Sequence, residues 1–254
     1  MMTHTCTQVA PGVYRLGDHV VNFYLVDTDE GLVMVDAGLP THSAQLLDAV
    51  AWIGGRLRAV VLTHAHPDHT GLAERARDDG GARVWVHEDD APILDDGPTS
   101  SMVHAPPEHG LLHGLLRHPG AAGSLLHLGQ QGAFTSARVR SYSTFGHDEV
   151  LEEVPGRPRV LSVPGHTPGS SAVVFEDLRV AFTGDALVTH DFTTGVEGPC
   201  VVGGMSTHDY EQAVRSLDRL SGLSERTALL PGHGEPITDD LETALERARE
   251  RRTR

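Results

Sequence analysis

Six residues, His64-Ala65-His66-Pro67-Asp68-His69, restrict what this chain can be more than any other stretch. Three imidazoles and a carboxylate stand within six positions, directly after the apolar run Ala59-Val60-Val61-Leu62 and Thr63. A β-branched run reads as a buried strand, so the cluster falls just past a strand end. Loops at strand ends are where α/β proteins place their chemistry. Imidazole nitrogen and carboxylate oxygen are ligands suited to zinc, iron or manganese. The alternative is a polar loop that happens to be rich in histidine, and the strand-then-ligand context weighs against it. Such a loop supplies only part of a coordination set, so further ligands are expected elsewhere.

The 254 residues suffice for one large core, so residues 1–254 are expected to form a single domain. With a formal charge of −15, the chain repels nucleic acid and anionic membranes. All 20 cationic residues are arginine, which excludes a Schiff base or a lysine nucleophile. The N-terminus has no apolar core of a signal segment and no run of eighteen apolar residues occurs, so a soluble, cytoplasmic protein is expected. Cys6 and Cys200 have no partner at ligand spacing and read as free thiols.

Taken in order, residues 13–16, 20–26 and 32–35 read as strands, with Asp27–Gly31 as a hairpin turn. A helix over 41–53 ends at Gly54-Gly55, the strand 59–62 leads into the histidine cluster, and a helix over 69–79 precedes a strand at 84–86. Regularity breaks from 88 to 154, where Pro-rich turns surround short Leu-rich pieces. That stretch is expected to be an insertion of short helices, because a structureless loop of such length is improbable in a compact domain. Strands resume at 159–163, 172–175 and 180–183. An amphipathic helix over 208–220, a strand at 228–230 and a charged helix over 238–252 complete the chain.

Four segments repeat one construction, an apolar strand followed by a break and a ligand-type side chain. They deliver Asp36, the His64–His69 cluster, His166 with Asp185, and His233. A lone histidine or a lone Gly-Asp pair would read as packing or a turn; the repetition is what points to a metal. Glycines beside Asp185, His166 and His233 allow close backbone approach there.

The pattern HAHPDH, PGHTPG, TGDA and PGHG resembles the metallo-β-lactamase superfamily, in its glyoxalase II-like or generic branch, from about Val9 to Ile237 apart from the insertion. The resemblance implies a four-layer αββα sandwich, an α/β fold with its metals at one edge between two sheets. It assigns one ion to His64, His66 and His166 and a second to Asp68, His69 and His233, with Asp185 bridging. It makes Asp36 the strand-end aspartate that orients a ligand histidine; Asp36 and Asp68 are taken as the catalytic carboxylates, Asp68 as a candidate proton donor. The implied function is a dinuclear metal-dependent hydrolase using a metal-bridging hydroxide on an ester, thioester, lactone or phosphodiester of a small molecule. Two ions about 3.5–4 Å apart can lower the pKa of a shared water to near 7. The cofactors expected are two divalent ions, zinc first, with iron or manganese as alternatives. A mononuclear iron persulfide dioxygenase is the alternative activity, and a non-catalytic metal-binding protein the alternative class.

Finer comparisons narrow the substrate. Glyoxalase II-like enzymes carry a long C-terminal helical region with lysine for glutathione, and this chain ends 21 residues after His233 without a lysine. Lactonases of the fold commonly place tyrosine three residues after the bridging aspartate, where Val188 stands here. The −15 charge opposes the superfamily's ribonucleases. The partner expected is therefore a small molecule, with no nucleic acid and no membrane, and homo-oligomers remain open. The insertion over 88–154 is expected to cap the metal edge, and its leucines to favour an apolar substrate or acyl group. Its histidines (104, 109, 113, 118 and 127) are read as surface and packing residues in preference to an extra metal site.

Overall fold

The computed structural model describes residues 6–238 and 240–251. Strands β1 (Thr7–Ala10), β2 (Val13–Gly17), β3 (Asn22–Thr28) and β4 (Gly31–Val35) run antiparallel. After helix α1 (Ser43–Ile53) the chain enters β5 (Leu57–Val61), which lies parallel to β4. Short helices α2 (Pro67–Thr70) and α3 (Ala73–Asp78) lead to β6 (Arg83–His87), again parallel. The expected helix over 69–79 is thus broken, because the ligand turn and the backbone contact of Gly71 with the Gly38 carbonyl interrupt it.

Four helices follow: α4 (Ala91–Asp96), α5 (Ser101–His104), α6 (Leu111–Arg117) and α7 (Ala121–Gln130). The expected helical insertion over 88–154 stops short of its far boundary. Strand β7 (Ser143–Phe145) joins β6 as the last strand of the seven-stranded sheet, and Leu151 and Val154 are buried in the inter-sheet core. Three residues carry too little pattern for β7 to show in the sequence.

The second sheet has the order β13-β10-β9-β8, built from β8 (Arg159–Ser162), β9 (Ser171–Phe175), β10 (Val180–Gly184) and β13 (Ala228–Pro231). Only its β10–β13 pair is parallel. Between them, β11 (Val188–Asp191) and β12 (Val196–Cys200) form a separate hairpin that the sequence reading lacked, because Gly198 and Pro199 mask a strand pattern. Asp191 fastens it, accepting from the Thr193 and Gly203 N–H groups and from two threonine hydroxyls. Helix α8 (Tyr210–Leu220) starts where the Asp209 carboxylate accepts from the Gln212 N–H, and α9 (Leu241–Glu250) where Asp240 does the same for Thr243. The expected last helix over 238–252 is shorter, and positions 239 and 252 lie outside the described residues.

Alternation along the strands sorts the apolar residues into three layers. Phe23, Leu25, Leu32, Met34 and Val60 face α1 and α3. Tyr24, Val26, Val33, Val61, Phe175 and Phe182 fill the space between the sheets. Val174, Ala181 and Leu229 face α8 and α9. The order helices, sheet, sheet, helices is the expected αββα sandwich. Because β4 runs parallel to β5 and β10 parallel to β13, residues that follow these strands emerge together at one edge.

Candidate metal centre

Asp36 follows β4, the His64–His69 cluster follows β5, His166 sits between β8 and β9, Asp185 follows β10 and His233 follows β13. The topology thus brings residues from both halves of the chain into one buried cluster at the sheet edge. His64, His66 and His166 form one group whose ligand atoms lie close enough for an ion, Asp68, His69 and His233 a second, and His64, His69 and Asp185 a third between them. Asp185 reaches both sides. One oxygen lies 3.3 Å from His166 Nε2 and 3.1 Å from His233 Nε2, the other 3.4 Å from His69 Nε2. Asp68 lies 3.5 Å from His233 Nε2 and 3.8 Å from His69 Nε2.

The hydrogen bonds behind the rings decide which nitrogen faces the centre. His69 Nδ1 donates to Asp36 at 2.9 Å, and His233 Nδ1 to the Val20 carbonyl at 2.5 Å. Thr63 Oγ1 gives its proton to Asp36, so His64 Nδ1 donates to Thr63 at 3.1 Å. Thr207 Oγ1 gives its proton to the Val202 carbonyl, so His166 Nδ1 donates to Thr207 at 3.1 Å. With Nδ1 committed as a donor, each of these four rings turns Nε2 inward as a metal-binding lone pair. His66 is reversed, its Nδ1 facing His166 Nε2 at 2.8 Å.

Three atoms at the centre, His64 Nε2, His69 Nε2 and Asp185 Oδ1, are buried without a hydrogen-bond partner. Burying polar atoms this way costs about 1–3 kcal/mol each unless something else satisfies them. A cation among the rings and carboxylates does so, and the donor set therefore fits divalent metal ions. Electrostatics agrees. Burial holds His64, His66 and His166 below the ordinary histidine range, hence neutral and ready to ligate. Burial also opposes charge on His69, yet Asp185, Asp36 and Asp68 together pull it up to about 10. The carboxylates call for positive charge at this spot, and Asp185 is held well below the usual carboxylate range by His233 and His69 against its burial.

Asp36 sits differently from its expected place among the catalytic carboxylates. Its oxygens are taken by the Thr63 N–H and hydroxyl and by His69, the arrangement of a group that orients a ring. A left-handed backbone (φ 59°) turns its side chain under the ligand loop. Gly232 stands where the backbone must pass close to the ligands: a Cβ there would lie 2.5 Å from Asp185 Oδ1 and 2.6 Å from His69 Cε1.

Sequence reasoning missed Asp90. This fully buried carboxylate accepts from the Ala65 N–H, the Thr167 hydroxyl and the Gly169 N–H, all at 2.8–2.9 Å. It ties the loop of His64 and His66 to the loop of His166. Burial raises its pKa, against the hydrogen bonds it accepts. In sequence it is the third residue of Glu88-Asp89-Asp90 and looks like an ordinary acidic helix start.

Two further His/Asp groups exist among the described residues, Asp18 with His19 and His127, and His87 with Asp89 and His147. Both are more exposed than the central cluster; His127 Nε2 meets Asp18 at 2.7 Å and His87 Nε2 meets His147 Nδ1 at 2.8 Å. Of the insertion's other histidines, His104 pairs with Asp96 and His109 packs on His113.

Beside the ligands opens a cleft of about 290 Å³. His66 and Asp68 form one wall; Met102, Leu111, Leu125, Leu128 and Phe134 from the insertion form another, with Phe192 and Met205 from the core.

The fold and the site together define a metal-dependent hydrolase class. Residues 16–233 match the model of the metallo-beta-lactamase superfamily, and the chain belongs to that superfamily. The probable metallo-hydrolase YflN of Bacillus subtilis is 28% identical over 91% of this chain and 87% of its own. The hydroxyacylglutathione hydrolase GloC of Haemophilus influenzae is 25% identical over 84% of each. Among solved structures, the metallo-beta-lactamase family protein TTHA1429 of Thermus thermophilus superposes with a TM-score of 0.69 at 27% identity, over 96% of this chain and 80% of that one. The protein TTHA1623 in a di-iron-bound form gives 0.62 at 25% identity, over 92% and 95%. Among the described residues no helix is long and apolar enough to cross a membrane.

Proposed function

We propose that the chain is a two-ion hydrolase of a small carboxylic ester, thioester or lactone. His64, His66 and His166 hold one ion, Asp68, His69 and His233 the other, and Asp185 lies between them. The observation that carries the reading is the set of four rings locked with Nε2 inward around a carboxylate that reaches both groups. Two such ions supply a hydroxide at neutral pH and Lewis acidity toward the scissile group. The protein's own part is to fix the ring orientations through Asp36, Thr63, Thr207 and Val20, and to shed water from the cleft through its apolar wall. Asp68, ionised as a ligand and on the wall of the cleft, is the group positioned to take the proton released by the attacking water and pass it to the leaving group.

The same wall ranks the substrates. Among the described residues lining the cleft there is no arginine, so a phosphodiester or the carboxylates of a glutathione conjugate find no cation there beyond the metal pair. This also counts against the glutathione-dependent persulfide reaction. Zinc is the proposed metal and iron its rival, the latter because a relative is described with two irons. Elemental analysis of the protein as purified, followed by hydrolysis of a panel of esters, thioesters, lactones and phosphodiesters, tests the reading. Two ions per chain with carboxylic ester or thioester turnover is the expected result. One iron with oxygen consumption on a persulfide would overturn it.

A further inference from the structure

The insertion presents an unusual surface. Of the ten large hydrophobic side chains that stand exposed among the described residues, seven lie between positions 102 and 134. Three of them, Met102 at 57%, Leu111 at 47% and Phe134 at 40% exposure, also line the cleft. The cleft is therefore continuous with an apolar rim. At its inner end Leu128 and Phe192 are buried, and the Phe192 ring packs on His233 with centroids 4.7 Å apart. Apolar surface runs from the ligand rings to solvent. Soluble chains rarely expose such a concentration unless something binds there.

Resting on the hydrolase reading above, we infer that the substrate carries a neutral, unbranched apolar acyl chain of medium length. Its carbonyl lies at His66 and Asp68, its first methylenes lie against Leu128 and Phe192, and its tail leaves across Met102, Leu111 and Phe134. The volume, near the lower end of the roughly 300–1,000 Å³ of small-molecule pockets, admits a chain of medium length, and the apolar rim beyond it offers the tail a path to solvent. Hydrolysis breaks the acyl C–O or C–S bond, water adds its oxygen to the acyl carbon, and its proton leaves with the alcohol or thiol.

A matched chain-length series tests this with two readouts. Hydrolysis of p-nitrophenyl esters from acetate to decanoate is measured on the metal-loaded protein, and calorimetry follows binding of the N-methyl amides of the same acids. Both specificity and affinity should climb about fourfold per methylene while the chain remains inside the cleft. Phe134→Ser and Leu111→Ser should each lower the decanoyl-to-acetyl ratio several-fold in both readouts. Both side chains are substantially exposed, so the variants should fold, and circular dichroism verifies that. A flat dependence on length in binding and turnover overturns the chain assignment. Affinity that climbs with length while neither these esters nor the matching thioesters and lactones are cleaved supports the chain assignment and overturns the hydrolase reading instead.

Discussion

The floor of the site and the insertion that walls its cleft, the proposed lid, are built on opposite principles. On the floor every ligand is buried, four of the rings are held from behind by a named acceptor, and the loops are tied together by Asp90. In the lid, helices α5 and α6 bury only Ser101 and Gly114 and leave leucines in solvent. Contact with the core mixes apolar packing and polar bonds. Leu128 and Ala133 pack with Val20, Val21, Leu39 and Phe192; His127 bonds to Asp18; and the Glu108 and His109 N–H groups donate to the Thr207 and Gly204 carbonyls. The floor is specified by buried long-range polar bonds, the lid by a small apolar patch together with a few part-buried or exposed polar bonds. One part must hold ions at fixed geometry, while the other must admit a substrate. Substitutions in the two regions should therefore separate cleanly, floor changes altering metal retention and lid changes altering substrate selectivity.

The largest effect is expected at Asp185. Asp185→Ala removes the carboxylate that reaches both ligand groups, so one ion should be lost and turnover should fall to background. Metal content by mass spectrometry and ester hydrolysis check this together. Two ions retained with activity intact would break the two-ion floor. Asp36→Asn comes next. It leaves His69 without its carboxylate acceptor, and metal affinity should drop about 10–100-fold, the usual cost of losing an orienting partner. A chelator competition titration reads that loss. Unchanged affinity would remove the positioning role.

Asp90→Asn sharpens the contrast because it touches no proposed ligand directly. An amide can accept from one side only, so at least one of the Ala65, Thr167 or Gly169 donors loses its acceptor. Each buried donor left unpaired costs about 1–3 kcal/mol. A lowered Tm accompanied by weaker metal binding is the expected result, measured by thermal unfolding with and without chelator. A lowered Tm with metal affinity untouched would mean that Asp90 only packs the domain.

How far the floor could be read from sequence, and why the lid could not, follows from the same contrast. Ligand side chains are chemically distinctive, and their place after apolar strands is local, so His64, His66, Asp68, His69, His166, Asp185 and His233 were visible in the chain and the topology gathers them. Asp90 and Thr207 were not, since their partners lie 25 to 79 and 41 positions away and nothing local marks them. The insertion's helices were visible as Leu-rich pieces between prolines. Its return to the sheet through β7 was not, since Ser143-Thr144-Phe145 is too short to show a period. The hairpin β11–β12 escaped because Gly198 and Pro199 mask its second strand, while Asp191 at the end of the first fastens it.

On the lid side the sharpest single change is Gly114→Val. A Cβ at this position would lie 2.2 Å from Met205 Sδ and 2.9 Å from its Cβ, so helix α6 or Met205 must move. Overpacking of this kind costs about 1–3 kcal/mol, and displacement of Met205 alters the wall of the cleft. Tm should fall modestly, KM for long-chain esters should rise, and metal content should stay at the wild-type value. A loss of metal in this variant would show that lid and floor are one unit after all.

The smallest expected effect belongs to Leu116→Ser. Leu116 is 78% exposed on α6 and lines no part of the cleft, so the serine should shift stability by within about 0.5 kcal/mol. Thermal unfolding measures this directly, and metal content should match the parent. The prediction is informative because Leu116 shares a short helix with Leu111. If Leu116→Ser destabilised the protein as strongly as Gly114→Val, the outer face of α6 would have to be covered in solution, by a second copy or a folded-over segment. If it changes nothing while Leu111→Ser alters chain-length selectivity, the functional part of the lid is its inner rim, and the outer leucines are surface.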